Sequence, residues 1–345
     1  MRVECENCQK VYDIPDERLP AGKKIKFPCP ACKSVIKVDM RSHQADTDAV
    51  PSSASGAHAD NKSGEAEALK EKIFKSVSDL PPMPQVVHKA REVMDDPNSS
   101  FKDLAIIFVT DQAIATRVLK LANSAYYGLS QQVSSIQQAS VILGHKALAE
   151  LVTMAATSSL LGKDIKGYGL EAGELWKHSL AVAFGSRLIA KKKSPALSDD
   201  AFAAGLIHDS GKLVLDKYIL ERKGMFEEFM ADGQGTFLAA EKEILGFDHA
   251  EIASEVCKKW NVPQNVATAI RYHHCPLEAQ ENELANILHV ADGIAMLSGL
   301  GTGEDALSYE MEESAVSSFG FKNEDISKLM DQVVASVQNT IQEFQ

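Results

Sequence analysis

The stretch His208-Asp209-Ser210-Gly211-Lys212 suggests chemistry because the rest of this 345-residue chain supplies matching groups. Upstream lies Glu174-x3-His178; downstream lie His249, the pair His273-His274, and Asp292. These imidazoles and carboxylates spread over about 120 residues. Neutral imidazole with carboxylate suits Fe, Mn, Zn or Ni, and two such clusters can hold a dinuclear centre. Taken singly, each element has a plainer explanation. A His-Asp dipeptide is common by chance. Glu174 and His178 lie i, i+4 on one helix face, where such a pair is usually a surface hydrogen bond. His249 follows Asp248, a candidate helix N-cap. His273-His274 precedes Cys275-Pro276 at a helix end, where an imidazolium suits the dipole. Asp292 sits in the apolar run from Ile287 to Ile294, where a buried carboxylate needs a partner or a metal. Only their combination points to a metal site.

A second ligand set opens the chain. Cys5-x2-Cys8 and Cys29-x2-Cys32 are two knuckles separated by 20 residues, the pattern of a tetrahedral four-cysteine zinc site. All four positions of the ion are then filled, so this zinc is expected to be structural. Val3, Tyr12, Ile25, Phe27, Ile36 and Val38 alternate as short strands do. About 40 residues bury too little to fold unaided, so metal binding and folding are expected to be coupled. The segment from Tyr12 to Lys23 resembles a zinc ribbon found at the start of many bacterial regulatory proteins, which implies an interaction module.

These ligands require a scaffold, and its periodicity is helical. Residues 1–39 form the ribbon. Residues 40–68, rich in Ser, Ala, Asp, His and Gly, read as a disordered linker. From 69 to 345 the pattern is that of an all-α bundle of roughly a dozen helices with an acidic helical C-terminal extension. Leu69, Ile73 and Val77 share a face until Leu80-Pro-Pro-Met-Pro84 breaks the helix. Helices are expected from Val86 to Met94, from Leu104 to Val109, and around Ile114 to Leu121, the last ending at Asn123-Ser124. A further one runs from Ile136 to a stop at Gly144, and another from Ala147 to Leu161.

Three segments carry a more specific likeness. Leu80-Pro-Pro-Met-Pro84, Thr110-Asp-Gln-x5-Val118-Leu-Lys-Leu-Ala-Asn123-Ser124 and Ser135-Ile-x2-Ala139-x3-Leu143-Gly144 resemble the HDOD family, a bacterial signalling output domain related to the HD phosphohydrolase superfamily. The likeness covers about residues 70 to 275, and Asp111-Gln112 departs from the Asp-Pro common in the family. The order of the ligands is similar to that of the catalytic HD branch, particularly its HD-GYP members. Carried over by position, that implies Glu174, His178, His208, Asp209, His249, His273, His274 and Asp292 as ligands of a mono- or dinuclear Fe, Mn or Zn site. Lys212 would be the phosphate contact. The chain departs from that branch after His274, where Cys-Pro-Leu-Glu replaces a Gly-Tyr-Pro loop.

Two functions follow as expectations. The first is a bacterial signal-transduction protein whose HDOD domain binds a protein partner or a nucleotide-like ligand, with the ribbon docking something else. The second is a metal-dependent phosphohydrolase of nucleotides in which Asp209 and Lys212 are catalytic. The net charge of −12 is concentrated from Glu278 onward, where 13 acidic residues face Lys322 and Lys328. That acidity repels phosphate backbones and argues against nucleic acid as the partner. The apolar run Leu151 to Leu161 falls far short of the roughly 20 residues that cross a bilayer. With charges in its opening MRVECENC, the chain is expected to be cytosolic, its cysteines reduced.

Overall fold

Apolar residues at helical spacing organise most of the molecule. The computed structural model describes residues 2–4, 11–13, 24–28, 35–39, 57–80, 83, 112–231, 235–279, 282–301, 303 and 311–342. The chain divides into two units, Met1–Ala59 and Asp60–Gln345.

In the first unit two antiparallel ladders are described. Strand β1 (Arg2–Glu4) pairs with β2 (Val11–Asp13), setting Val3 opposite Tyr12. Strand β3 (Lys24–Pro28) pairs with β4 (Val35–Asp39), setting Ile25 opposite Val38 and Phe27 opposite Ile36. These are the residues whose alternation predicts strands. The four cysteines, Cys5, Cys8, Cys29 and Cys32, lie outside the described residues.

In the second unit the named elements are all helices. Helix α1 (Ala57–Asp79) buries Ile73 and Val77 and stops before Leu80-Pro-Pro. It starts inside the 40–68 stretch expected as a linker; the run Glu65-Ala-Glu-Ala consists of good helix formers and extends the helix toward its N-terminus. The α1 C-terminus is closed by Lys259, whose Nζ reaches the carbonyls of Val77, Ser78 and Leu80. A cation there satisfies groups the helix leaves unpaired and complements its dipole. The helices expected at 86–94 and 104–109 lie outside the described residues.

Helices α2 (Gln112–Ala122) and α3 (Ile136–Leu161) follow. The stop expected at Gly144 is a break inside α3: its φ of 82° suits glycine, and helix continues on both sides. Asn123, placed by sequence at a helix end, lies just past α2. Its side chain donates to the Val133 carbonyl at 2.9 Å and accepts from the Val133 amide at 2.8 Å, closing the loop between α2 and α3.

The centre of the unit is α4 (Glu174–Lys193), buried on nearly every face from Leu175 to Ala190. Neighbours cover this helix on nearly all sides, so even its His178, Ser179, Ser186 and Arg187 are buried. Around it pack α5 (Ser198–Ile207), α11 (Glu283–Leu297) and α13 (Asn323–Ile341). The remaining helices among the described residues are α6 (Lys212–Leu220), α7 (Lys223–Ala231), α8 (Phe237–Leu245), α9 (His249–Lys259), α10 (Gln264–Arg271) and α12 (Glu313–Ser318). Cys257 packs in the core on α9, and burial pushes its thiol up to about 12. No helix among the described residues is long and apolar enough to cross a membrane.

Replacing Asn123 with Ala removes both bonds to Val133 and leaves two backbone groups to find other partners. Urea denaturation is expected to show a loss of about 1–3 kcal/mol. A loss below about 0.5 kcal/mol, within the range of an ordinary surface substitution, would show that the loop is held by other contacts.

Candidate metal centre

The ends of helices bring the ligand groups together. His208 caps the C-terminus of α5, and its Nδ1 lies 2.8 Å from the Gly205 carbonyl, three residues back. His273, just past α10, makes the same turn, with Nδ1 2.7 Å from the Ile270 carbonyl. His178, on the second turn of α4, places Nδ1 3.1 Å from the carbonyl of Leu300, after α11. A carbonyl can only accept, so each Nδ1 carries the hydrogen and each neutral ring keeps its lone pair on Nε2. The carbonyls at helix C-termini lack partners within their helices, and these imidazoles supply them.

The freed Nε2 atoms meet two carboxylates. His178 Nε2 is 3.1 Å from Asp292 Oδ1 and 3.6 Å from Asp209 Oδ2. His208 Nε2 is 3.5 Å from Asp209 Oδ2. The other Asp209 oxygen, Oδ1, is 3.4 Å from His249 Nε2. His249 opens α9 behind Asp248, which closes a capping box with Glu251. Its Nε2 lies 2.8 Å from His274 Nε2. Lys212, the first residue of α6, sets Nζ 2.8 Å from Asp209 Oδ2 and is only 2% exposed. Among the described residues, three groups of candidate ligand atoms result, each within 4.8 Å: His178, His208 and Asp209; His208, His273 and Asp292; His249, His273 and His274.

Electrostatics prepare these groups for a cation. Burial raises Asp209, but His208, Lys212, His249 and His178 outweigh it and hold the carboxyl well below its usual range. Asp292 is likewise lowered against the effect of burial, by His178, His208 and His273. Burial lowers His208, and it lowers His273 to about 3 with His208 adding to the effect. His274 is also pushed well down, by burial and by the neighbouring His273 and His249. Burial opposes the His178 and His249 cations as well. Asp292 reverses that for His178, and Glu241 lifts His249 to about 9. Asp209 and Asp292 are thereby favoured as carboxylates, and His208 and His273 as neutral imidazoles.

A metal fits this arrangement. The Nε2 atoms of His178, His208 and His273 and both oxygens of Asp209 and Asp292 are buried with no well-formed hydrogen bond, Lys212 and His178 reaching one oxygen of Asp209 and of Asp292 only as ion pairs. Buried polar atoms left this way are costly, and a divalent cation would satisfy several at once. The mix of nitrogen and oxygen donors suits Fe, Mn or Zn.

Of the eight candidates, the structure gathers His178, His208, Asp209, His249, His273, His274 and Asp292. Glu174 is not gathered. It starts α4 at the surface, and its carboxylate turns to Lys177 Nζ at 3.5 Å. The i, i+4 spacing puts it on the His178 side of the helix but a full turn away from the centre. Sequence reasoning missed Glu241, which is fully buried on α8 and accepts from His249 Nδ1 at 2.8 Å. A signal was present: Glu241 sits four residues after Phe237 and four before Leu245, in the buried phase of its helix.

Fold and site define a class: an all-helical bundle built around a buried histidine–aspartate cluster. The chain belongs to the HDOD family, whose domain it matches over residues 80–276; residues 1–37 match a zinc-ribbon domain. It is similar to an HDOD domain protein of unknown function from Geobacter sulfurreducens, at 25% identity and a TM-score of 0.61, over 81% of this chain and 96% of that one. A phosphohydrolase candidate from Shewanella amazonensis SB2B shares the fold at 24% identity and a TM-score of 0.61, over 79% of this chain and 98% of that one. A Treponema pallidum (strain Nichols) protein is 25% identical over 207 residues, 60% of this chain; the chain spans 40% of that relative's length.

Two substitutions test the geometry. A Cβ on Gly211 would lie 2.0 Å from the His249 carbonyl and 2.8 Å from the Ala253 amide. Gly211→Ala is therefore expected to cost about 1–3 kcal/mol or more in thermal or urea unfolding, as α6 and α9 are forced apart. Glu174→Ala is expected to leave the metal content of the purified protein unchanged, whereas His178→Ala lowers it; elemental analysis of both decides the point.

Proposed function

We propose that this protein is a signalling protein whose HDOD domain is a binding module organised around a metal centre. The supporting observation is the convergence of buried imidazole nitrogens and carboxylate oxygens that have no well-formed hydrogen bonds. Asp209 faces His178 and His208 through one oxygen and His249 through the other. His178, His208, Asp209 and Asp292 would hold an ion at one end of the cluster, and His249, His273 and His274 would hold one at the other. Apart from the partly exposed His274, the ligand groups are nearly inaccessible, and Lys212 is turned onto Asp209 rather than outward. A closed centre of this kind suits a domain that signals by binding. Its partner is a protein of a signalling pathway or a nucleotide-like ligand, and the ribbon, folded around a structural zinc held by Cys5, Cys8, Cys29 and Cys32, docks a second partner.

A specific observation favours a second reading, a metal-dependent phosphohydrolase. Lys212 and Asp209 adjoin the ligand cluster. Bound ions would supply Lewis acidity at a phosphoryl oxygen. On opening, the Lys212 ammonium would be placed to hold a phosphate oxygen, and the surrounding burial would exclude bulk water.

One experiment separates these readings. Metal content of the full-length protein is measured beside an Asp209→Ala variant, and both are assayed on a generic phosphodiester with added Mn²⁺ or Fe²⁺. The proposal expects metal beyond one zinc per chain, lost in the variant, with no turnover. Turnover abolished by Asp209→Ala would transfer the assignment to the hydrolase. One zinc in both proteins would reject the metal centre.

A further inference from the structure

Glu241 is fully buried, lies outside every group of candidate ligands, and is nonetheless bonded to one of them. Its Oε2 accepts from the His249 backbone amide at 2.9 Å and from His249 Nδ1 at 2.8 Å. Its Oε1 lies 3.1 Å from the same Nδ1 and accepts from the Tyr168 hydroxyl. Tyr168 is itself fully buried, with its ring against Phe237 and Lys212 Nζ 5.3 Å from the ring centre. His178, His208 and His273 rest on backbone carbonyls, whereas His249 rests on a carboxylate.

The difference matters for what His249 can do. A carboxylate partner fixes the tautomer and the direction of the ring and strengthens the other nitrogen as a donor. Here that nitrogen is aimed at His274 Nε2, 2.8 Å away. Two ring lone pairs do not face each other at that distance with nothing between them; a proton or a cation must lie there. The His249, His273 and His274 end is also the one group without a carboxylate, and an all-imidazole set favours ions such as Zn²⁺, Co²⁺ or Ni²⁺ over Mg²⁺ or Ca²⁺.

We propose that Glu241, anchored by Tyr168, is the positioning residue of the three-histidine end of the centre and decides whether that end holds an ion. This rests on the metal-centre reading above. Glu241 also bonds the first amide of α9, so a purely structural role has to be told apart from a role in ion binding.

The test uses the full-length chain, stripped of metal and with its ribbon reloaded with zinc, titrated with Co²⁺. Chelator competition and the visible spectrum of the bound ion are the readouts, and circular dichroism and thermal unfolding of the metal-free proteins serve as controls. Glu241→Gln keeps the shape and one acceptor but loses the charge. It is expected to bind the second Co²⁺ about 10–100-fold more weakly with a changed spectrum, while the first binds as before. Glu241→Asp is expected to recover part of the affinity. Wild-type affinity and spectrum in Glu241→Gln would overturn the proposal and leave the metal centre standing. Should Glu241→Gln fail to fold, Tyr168→Phe, which removes one hydroxyl, is expected to weaken the second ion alone; unchanged binding there would overturn the proposal. A wild-type protein that takes up no Co²⁺ would instead remove the centre itself, and this inference with it.

Discussion

The interior of the helical unit must accommodate charged and polar atoms that have left water. His208, His273, Asp209, Asp292 and Lys212 are all nearly inaccessible. Removing such groups from solvent costs several kcal/mol each unless partners replace the lost hydration. The architecture around α4 supplies those partners on the outer side of each ring. The inner nitrogens and oxygens face one another instead, and that asymmetry turns a set of buried side chains into a candidate cation site.

The outer partners come from a recurring device. An imidazole placed just past a helix folds back onto a carbonyl that the helix leaves open, as His208 does on Gly205 and His273 on Ile270. One bond then serves two needs, closing the helix end and fixing the ring tautomer. His289 extends the arrangement. Its Nδ1 meets the His273 carbonyl at 2.8 Å, and its Nε2 accepts from the Glu312 amide at 2.8 Å. The acidic C-terminal extension is thereby tied to a candidate ligand, which gives that region a packing role beyond its surface charge.

Close approach between helices is the second condition. Gly211 lets the turn before α6 rest on the α9 backbone beside His249, which brings Asp209 and His249 within reach of each other. Lys212 then falls on Asp209, and Tyr168 lies between Lys212 and Glu241. The bundle that matches the HDOD family thus carries a cluster of candidate ligands in its interior.

Much of this was legible in the sequence, for physical reasons. Helical periodicity identified the bundle because burial on one face leaves a repeat that a linear chain displays, as Ile73 and Val77 show on α1. The break at Gly144 and the end of α1 before Leu80-Pro-Pro were readable because glycine and proline act through local backbone geometry. The ligand residue types were readable because few side chains bind metals. What the sequence could not decide was which of those residues meet. Glu174 and His178 satisfy the same local spacing, yet only His178 faces the centre, because the position of α4 against α5 and α11 is set by packing over the whole unit. Glu241 was equally hidden: its partner His249 lies on another helix, and a buried carboxylate acquires meaning only from what tertiary structure places beside it. The sequence by itself determined the helices, the breaks and the chemical repertoire; the tertiary structure alone decided which donors converge, because convergence depends on distances between elements that no local interaction sets.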